Sequence, residues 1–255
     1  MDDDEWDEAG ARFVAGYETF RGRVRTHVID RHLAEHLPPG PVRVVDVGGG
    51  DGTQSLPLAR RGCDVTIADP SAAMLDRARA ALAGEPADVR DRVHLVECAG
   101  ADAAGVLGDR FDAVLCHGVI VYVEDREPFL DSLGALAGPG AVVSIVAKNV
   151  DALAVFPALK GDWSGALDAF DAQRQVNALG IDTRADHIDD LSAALAHRGI
   201  APVAWYGVRL FSDGWAPGDQ LADVDVALAV ELEASRRDPY RRLSRLFHLV
   251  GRRAG

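Results

Sequence analysis

The sequence predicts an α/β protein: a doubly wound, seven-stranded sheet with helices on both faces and an antiparallel hairpin near the end of the chain. Three observations predict it. Short runs rich in valine and isoleucine alternate with helical periodicity over residues 42–147, the pattern of strands joined by crossover helices. Those strands read as nearly continuous apolar runs, which requires both faces of the sheet to be covered. Two late strands separated by a helix then fit a pair that closes one edge of such a sheet.

The elements follow in order. Residues 1–11 open with an acidic run, Asp2 to Glu5 with Asp7 and Glu8, and are expected to be a flexible tail because like charges repel. Residues 12–41 hold an N-terminal helix: Phe20, Val24, Val28, Ile29, Leu33 and Leu37 recur at helical spacing, and Pro38, Pro39, Gly40 and Pro41 stop it. Residues 42–255 form the main domain. Val42–Val47 is the first strand, Ser55–Arg61 a helix ended by Gly62, and Asp64–Ala68 the second strand with Asp69 at its tip. Ser71 is placed to cap a helix running to about Leu82. Val93–Glu97, Asp112–His117 and Ala141–Ala147 supply strands three to five, separated by a segment near Asp102–Leu107 and a helix near Arg126–Leu136. Beyond Lys148 the rhythm changes. Residues 149–188, with an aromatic stretch from Phe156 to Phe170, are expected to cover a second ligand. A helix at Ile188–His197, a strand at Val203–Phe211, a helix from about Gln220 to Arg236 and a strand at Leu246–Val250 complete the chain.

Composition excludes several functions. A formal net charge of -13 over 255 residues argues against a general polyanion-binding surface, since such affinity comes from lysine and arginine releasing counterions. Lys148 and Lys160 are the only lysines. No apolar run approaches the roughly 18 residues that span a bilayer, and the N-terminus has neither the basic start nor the apolar stretch of a secretory signal. A cytoplasmic protein with no membrane partner is expected. Cys63, Cys98 and Cys116 lack any spacing that builds a metal site. They are expected to be buried free thiols, and no metal is expected.

The sharpest motif is the first strand running into Asp46-Val47-Gly48-Gly49-Gly50-Asp51-Gly52 and then a helix. Glycines let the chain turn sharply and a ligand approach the backbone without Cβ atoms in the way. The spacing G-x-G-x-G differs from the G-x-G-x-x-G turn that holds a pyrophosphate. Asp46 and Asp51 would repel a pyrophosphate and attract the ammonium of a methionine moiety. Asp69, twenty-three positions after Asp46, can accept hydrogen bonds from both hydroxyls of a ribose. After the third strand, Cys98-Ala99-Gly100-Ala101-Asp102 can edge an adenine ring, Asp102 serving either its amino group or the cap of a helix. His117 and Gly118 end the fourth strand, on the edge where open α/β sheets bind ligands.

At these residues the chain resembles the bacterial tRNA carboxymethoxyuridine methyltransferase family. The resemblance covers residues 12–250. It runs through Arg21-Gly22-Arg23-Val24-Arg25, the glycine turn, Leu115-Cys116-His117-Gly118-Val119, Gly207-Val208-Arg209-Leu210-Phe211, Glu231-Leu232-Glu233 and Asp238-Pro239-Tyr240. The last three lie outside the cofactor domain that all class I methyltransferases share. The resemblance implies a Rossmann-like class I methyltransferase sheet and S-adenosylmethionine as cofactor, with S-adenosylhomocysteine as product. It implies that Arg25, Gly49, Gly50, Asp69, Ala99, Gly100 and His117 contact the cofactor; the turn and its acidic flank themselves place Gly48 and Asp46 beside its methionine end. It further implies tRNA as a partner, through the carboxylate of a modified uridine.

The sulfonium methyl is intrinsically reactive, so the protein has mainly to hold an acceptor in line with it and exclude water. No acid and base pair stands out, which favours an anionic acceptor that needs no base. Arg209, His117, Tyr122 and Trp163 are candidates for orienting it, together with Tyr17 and Lys148. The N-terminal helix is expected to act as a lid, with Arg25 on the methionine carboxylate. Arg209 is expected in a strand, alternating with Val208 and Leu210, and either clamps the acceptor or pairs with Glu231 or Glu233. Two alternatives stand beside this reading: an O- or N-methyltransferase of a small carboxylic or phenolic metabolite, and a noncatalytic methyltransferase-like scaffold.

Overall fold

In the computed structural model, which describes residues 10, 12, 14–108, 110–177, 179–214 and 223–255, nine strands follow one another along the chain. They are β1 (Arg43–Val47), β2 (Asp64–Asp69), β3 (Val93–Glu97), β4 (Phe111–His117), β5 (Ala137–Lys148), β6 (Arg174–Val176), β7 (Asp182–Arg184), β8 (Ile200–Val208) and β9 (Leu246–Arg253). Seven form one sheet in the order β3-β2-β1-β4-β5-β9-β8. β1 to β5 pair in parallel, whereas β9 runs antiparallel to both β5 and β8. The order reverses between β1 and β4, and a crevice opens at such a reversal, beyond the carboxyl ends of the strands. The predicted doubly wound sheet with its antiparallel edge is the observed fold.

The helices are α1 (Phe20–His36), α2 (Leu56–Arg60), α3 (Ala72–Ala83), α4 (Ala87–Arg90), α5 (Ala103–Leu107), α6 (Arg126–Leu136), α7 (Val155–Leu159), α8 (Trp163–Ala169), α9 (Ile188–Ala196) and α10 (Val224–Ala234). Successive strand residues point to opposite faces, so neighbours divide between two cores. Val45, Val114 and Cys116 pack with Phe129 and Leu133 of α6 and Leu191 of α9. Val44, Val65 and Leu115 pack with Leu58 of α2, Leu75 of α3 and Leu33 of α1. A third cluster joins Val24, Val28 and Ile29 of α1 to Val146 of β5 and Val208 of β8, which lays α1 beside the carboxyl end of β5. Thr19 caps α1 by accepting from the Gly22 amide, and Ser71 caps α3 by accepting from the Met74 amide.

Several expectations are corrected. β8 begins and ends three residues earlier than the predicted strand, and Arg209 lies just outside it with φ 63°. Glu231, buried in α10, draws the chain out of the sheet by accepting from the Leu210 and Ser212 amides at 3.0 and 2.5 Å. β5 starts at Ala137, four residues early, because Ala137 pairs with Phe111 before the register shifts to Ala113 with Val142. The hairpin β6–β7 has no counterpart in the sequence reading. Cys63 and Cys116 are buried free thiols, but Cys98 is only half-buried. Most of the acidic tail (residues 1–9 and 11) and the start of the predicted Gln220 helix lie outside the described residues. Among the described residues, no helix is long and apolar enough to cross a membrane and no cluster of side chains could hold a metal.

Candidate functional site

The glycine turn follows β1 directly. Gly48, Gly50 and Gly52 take φ values of 73°, 55° and 80°, the left-handed region that only glycine enters freely, and a Cβ on Gly48 would overlap Val119. Asp69 fastens the turn from the end of β2. One of its carboxylate oxygens accepts from the Gly50 amide and the other from the Ser71 amide, both at 2.9 Å. Burial pushes its carboxyl pKa above the usual carboxylate value, and those two amides oppose the rise. Asp46, 2% exposed, accepts from the Ser55 hydroxyl at 2.6 Å. Burial pushes its carboxyl up to about 6, helped by the charges of Asp69 and Asp51 and opposed by Ser55 and Arg25. Asp51 is bound locally, accepting from the amide and hydroxyl of Thr53. Three carboxylates thus gather round one turn.

Arg25 of α1 reaches across to the end of β4. Its guanidinium donates to the His117 carbonyl at 2.8 Å and to the Tyr17 hydroxyl at 2.7 Å. The His117 ring turns the other way: its Nε2 shares the Ser144 hydroxyl, at 2.8 Å, with Nε2 of His248, at 2.7 Å. The Nδ1 atoms of His32, His117 and His248 are buried without a hydrogen-bond partner. Burial holds all three rings neutral, taking His32 down to about 2 and His248 to about 3, and His117 well below its ordinary value.

Beyond Arg25 and Gly118 opens a cavity of about 530 Å³ between the start of α1, the end of β5 and the β6–β7 hairpin. Among the described residues seven cations line it (Arg12, Arg21, Arg25, Lys148, Lys160, Arg209 and Arg245) against one carboxylate, Asp213. Both lysines of the chain are among them. Arg209 donates to Asp213 rather than to Glu231 or Glu233, which overturns the pairing read from the sequence. Arg245 lies 3.7 Å from the same carboxylate. Tyr122 also lines the cavity, its hydroxyl accepting from Asn177 at 3.2 Å.

The structure therefore brings Arg25, Tyr17, Tyr122, Lys148 and Arg209 to one cavity, with Asp46, Gly48, Gly49, Gly50 and Asp69 at the neighbouring turn. Ala99 is exposed beyond β3 and Gly100 half-buried, and a Cβ on Gly100 would overlap Phe129. Asp102 makes no side-chain cap on α5. Trp163 is 72% exposed on α8 and does not line the cavity. Sequence reasoning missed Arg245, Asp213, Ser144 and His248. Arg245 had a signal, the basic run from Arg236 to Arg245, whereas Ser144 and His248 sit singly within apolar strands and carried none.

A protein-family model described as a methyltransferase domain matches residues 45–143. The tRNA 5-carboxymethoxyuridine methyltransferase of Escherichia coli (strain K12) is 30% identical over 259 residues, covering 99% of this chain and 97% of that protein. The ubiquinone biosynthesis O-methyltransferase of Methylobacterium nodulans is 33% identical over 151 residues, 56% of this chain and 58% of that one. Among solved structures, the glycopeptide N-methyltransferase MtfA complexed with S-adenosylmethionine superposes with a TM-score of 0.58 at 18% identity, over 91% of this chain and 94% of that one. The magnesium protoporphyrin IX methyltransferase of Synechocystis with bound S-adenosylhomocysteine gives 0.59 at 18% identity, over 92% and 86%. At such identities the likeness shows the fold.

The glycine turn suits this cofactor. A buried Asp46 whose carboxyl is raised to about 6, with two more carboxylates nearby, lacks positive charge, and S-adenosylmethionine brings an ammonium and a sulfonium. By its sequence over nearly its whole length, the chain belongs to the tRNA 5-carboxymethoxyuridine methyltransferase family of S-adenosylmethionine-dependent methyltransferases.

Proposed function

We propose that the chain methylates a carboxylate, that of 5-carboxymethoxyuridine in tRNA. The observation that carries this reading is an inversion of charge: a chain of net charge -13 lines one cavity, among its described residues, with seven cations and a single carboxylate. The name of the Escherichia coli relative supports the choice of tRNA.

S-adenosylmethionine supplies an electrophilic methyl group on a sulfonium. The chain's own residues hold both partners. Asp69 accepts from the ribose hydroxyls, Ala99 and Gly100 edge the adenine, and Gly48 to Gly50 admit the methionine end with its ammonium toward Asp46. Arg25 holds the methionine carboxylate while its bond to the His117 carbonyl ties α1 to β4. Residues 12–41 act as a lid on this side and residues 149–188 as the acceptor cover, which together exclude water. An acceptor carboxylate, oriented by the cavity cations, forms an O–C bond to the methyl carbon as the C–S bond breaks. An ester and a neutral thioether result, and no proton has to leave, so no general base is required.

Transfer of tritium from labelled S-adenosylmethionine tests this reading, using tRNA with and without carboxymethoxyuridine. Label is expected only in the tRNA that carries the carboxylate, and mild alkali should release it, since esters hydrolyse. Alkali-stable label would exclude a carboxylate acceptor. Label in small carboxylic acids with none in tRNA would exclude RNA.

A further inference from the structure

We propose that Lys148 and Arg245, joined through Gln175, form an anion subsite in the acceptor cavity that binds a carboxylate or phosphate group of the acceptor, and that Lys148 is a specificity-determining residue. The inference rests on the acceptor reading above for the identity of the whole substrate, but the subsite itself is testable without it.

Lys148 is the last residue of β5 and is 5% exposed. Its ammonium donates to the Gln175 carbonyl at 3.1 Å and to the Thr183 hydroxyl at 2.8 Å. Thr183 in turn donates to the same carbonyl at 2.8 Å. An ammonium carries three donors and no acceptor. Two are held by neutral oxygens of the β6–β7 hairpin, which leaves one N–H and the entire charge without a counter-ion. No carboxylate of the described residues forms an ion pair with it.

Arg245 stands on the other side of the same glutamine, donating to the Gln175 side-chain oxygen at 2.8 Å. Its nearest carboxylate, Asp213 at 3.7 Å, is already bonded to Arg209. Gln175 therefore fixes the spacing of two cations by its two carbonyl oxygens. Burial and, after it, the charge of Arg245 lower Lys148 to about 8 against the opposing pull of Asp182. Arg245 is lowered by burial too, with Arg209 and Arg21 adding to the effect and Asp213 opposing it. Two desolvated like charges in one wall are unfavourable unless an anion enters between them. Anchoring the hairpin does not account for the charge, because a neutral donor would bond the same two oxygens. A planar fork beside a point charge matches a carboxylate or a phosphate equally.

The two lysines make the test direct. The full chain, saturated with S-adenosylhomocysteine and carrying [13C]ε-labelled lysine, shows two resonances, both from the cavity wall, and the one lost in Lys148→Gln is that of Lys148. Titration with acetate and separately with inorganic phosphate is expected to shift the Lys148 resonance saturably and raise its midpoint by about one pH unit or more. Saturation by acetate alone assigns the subsite to the carboxylate, and by phosphate alone to the nucleic-acid backbone. If neither anion saturates, the proposal is overturned. Kinetics on carboxymethoxyuridine tRNA give the second readout. Lys148→Gln is expected to raise KM about ten-fold with kcat little changed, and Lys148→Arg to restore most of the loss. An unchanged KM in Lys148→Gln overturns the specificity role. Wild-type protein that binds anion yet never methylates tRNA retires the proposed acceptor and leaves the subsite standing.

Discussion

Two walls of one crevice carry opposite deficits of charge. At the glycine turn, Asp46, Asp51 and Asp69 gather with Arg25 as the cation that opposes Asp46. At the acceptor cavity seven cations face Asp213. On the first wall burial pushes carboxyls up; on the second it pulls Lys148 down. Under the proposed function each wall is completed by a ligand of the other sign, a sulfonium donor on one and an anionic acceptor on the other. Transfer consumes both charges at once, because the thioether and the ester are neutral at the reacting centres. In that proposed product state the sulfonium charge has left the first wall, although the ammonium remains, and the carboxylate charge has left the second, which favours release of product over rebinding.

The largest expected effect is of pH, and it sets the two sides against each other. His32, His117 and His248 are kept neutral by burial but take up protons near pH 6.5 once unfolded. Their stabilisation is complete above that pH and is lost as pH falls, at about 4 kcal/mol per pH unit for three rings. Asp46 works the other way: with its carboxyl raised to about 6, its contribution is present below about pH 4 and is lost as pH rises through 6. The histidines outnumber it. Urea unfolding is expected to show stability dropping steeply from pH 7 to pH 5, and His248→Gln to remove about a third of the slope. A stability that rises toward pH 5 would mean that the carboxylate wall dominates.

A smaller effect is confined to the first wall. Asp69→Ala orphans the Gly50 and Ser71 amides and removes the proposed ribose acceptor, so affinity for S-adenosylhomocysteine should fall by about 2 kcal/mol, roughly 30-fold. Calorimetric titration reads it directly. Unchanged affinity would take Asp69 out of the cofactor site. The smallest effect belongs to the second wall. Arg209→Lys keeps the charge and loses the two-nitrogen grip on Asp213, raising the KM for the acceptor by a few-fold, about 1 kcal/mol or less, with cofactor affinity intact. A parallel loss of cofactor affinity would show that the two walls are one coupled site.

The first wall was legible in the sequence and the second largely was not. Strand, glycine turn and helix are contiguous, and Asp69 follows at the spacing of one crossover, so residues close along the chain reported what lies close in space. Arg209 shows the limit. Alternation with Val208 and Leu210 suggested a strand, but Glu231 captures two amides beyond Val208 and turns the backbone left-handed at Arg209. No local pattern announces a carboxylate that arrives from a helix twenty residues later.

By itself the sequence determined the doubly wound sheet and the cofactor turn, because apolar periodicity and glycine conformation are properties of neighbouring residues, and the class of chemistry came with its resemblance to a methyltransferase family. Only the tertiary structure decided where the charge goes. Arg12, Lys148 and Arg245 are spread across almost the whole chain, and the overall charge of -13 conceals the cavity they share. Coulomb forces and desolvation depend on distance and burial rather than on order along the chain. The cationic wall, its Lys148 without an ion pair among the described residues and the neutral histidines therefore come together only once the strands that carry them are paired.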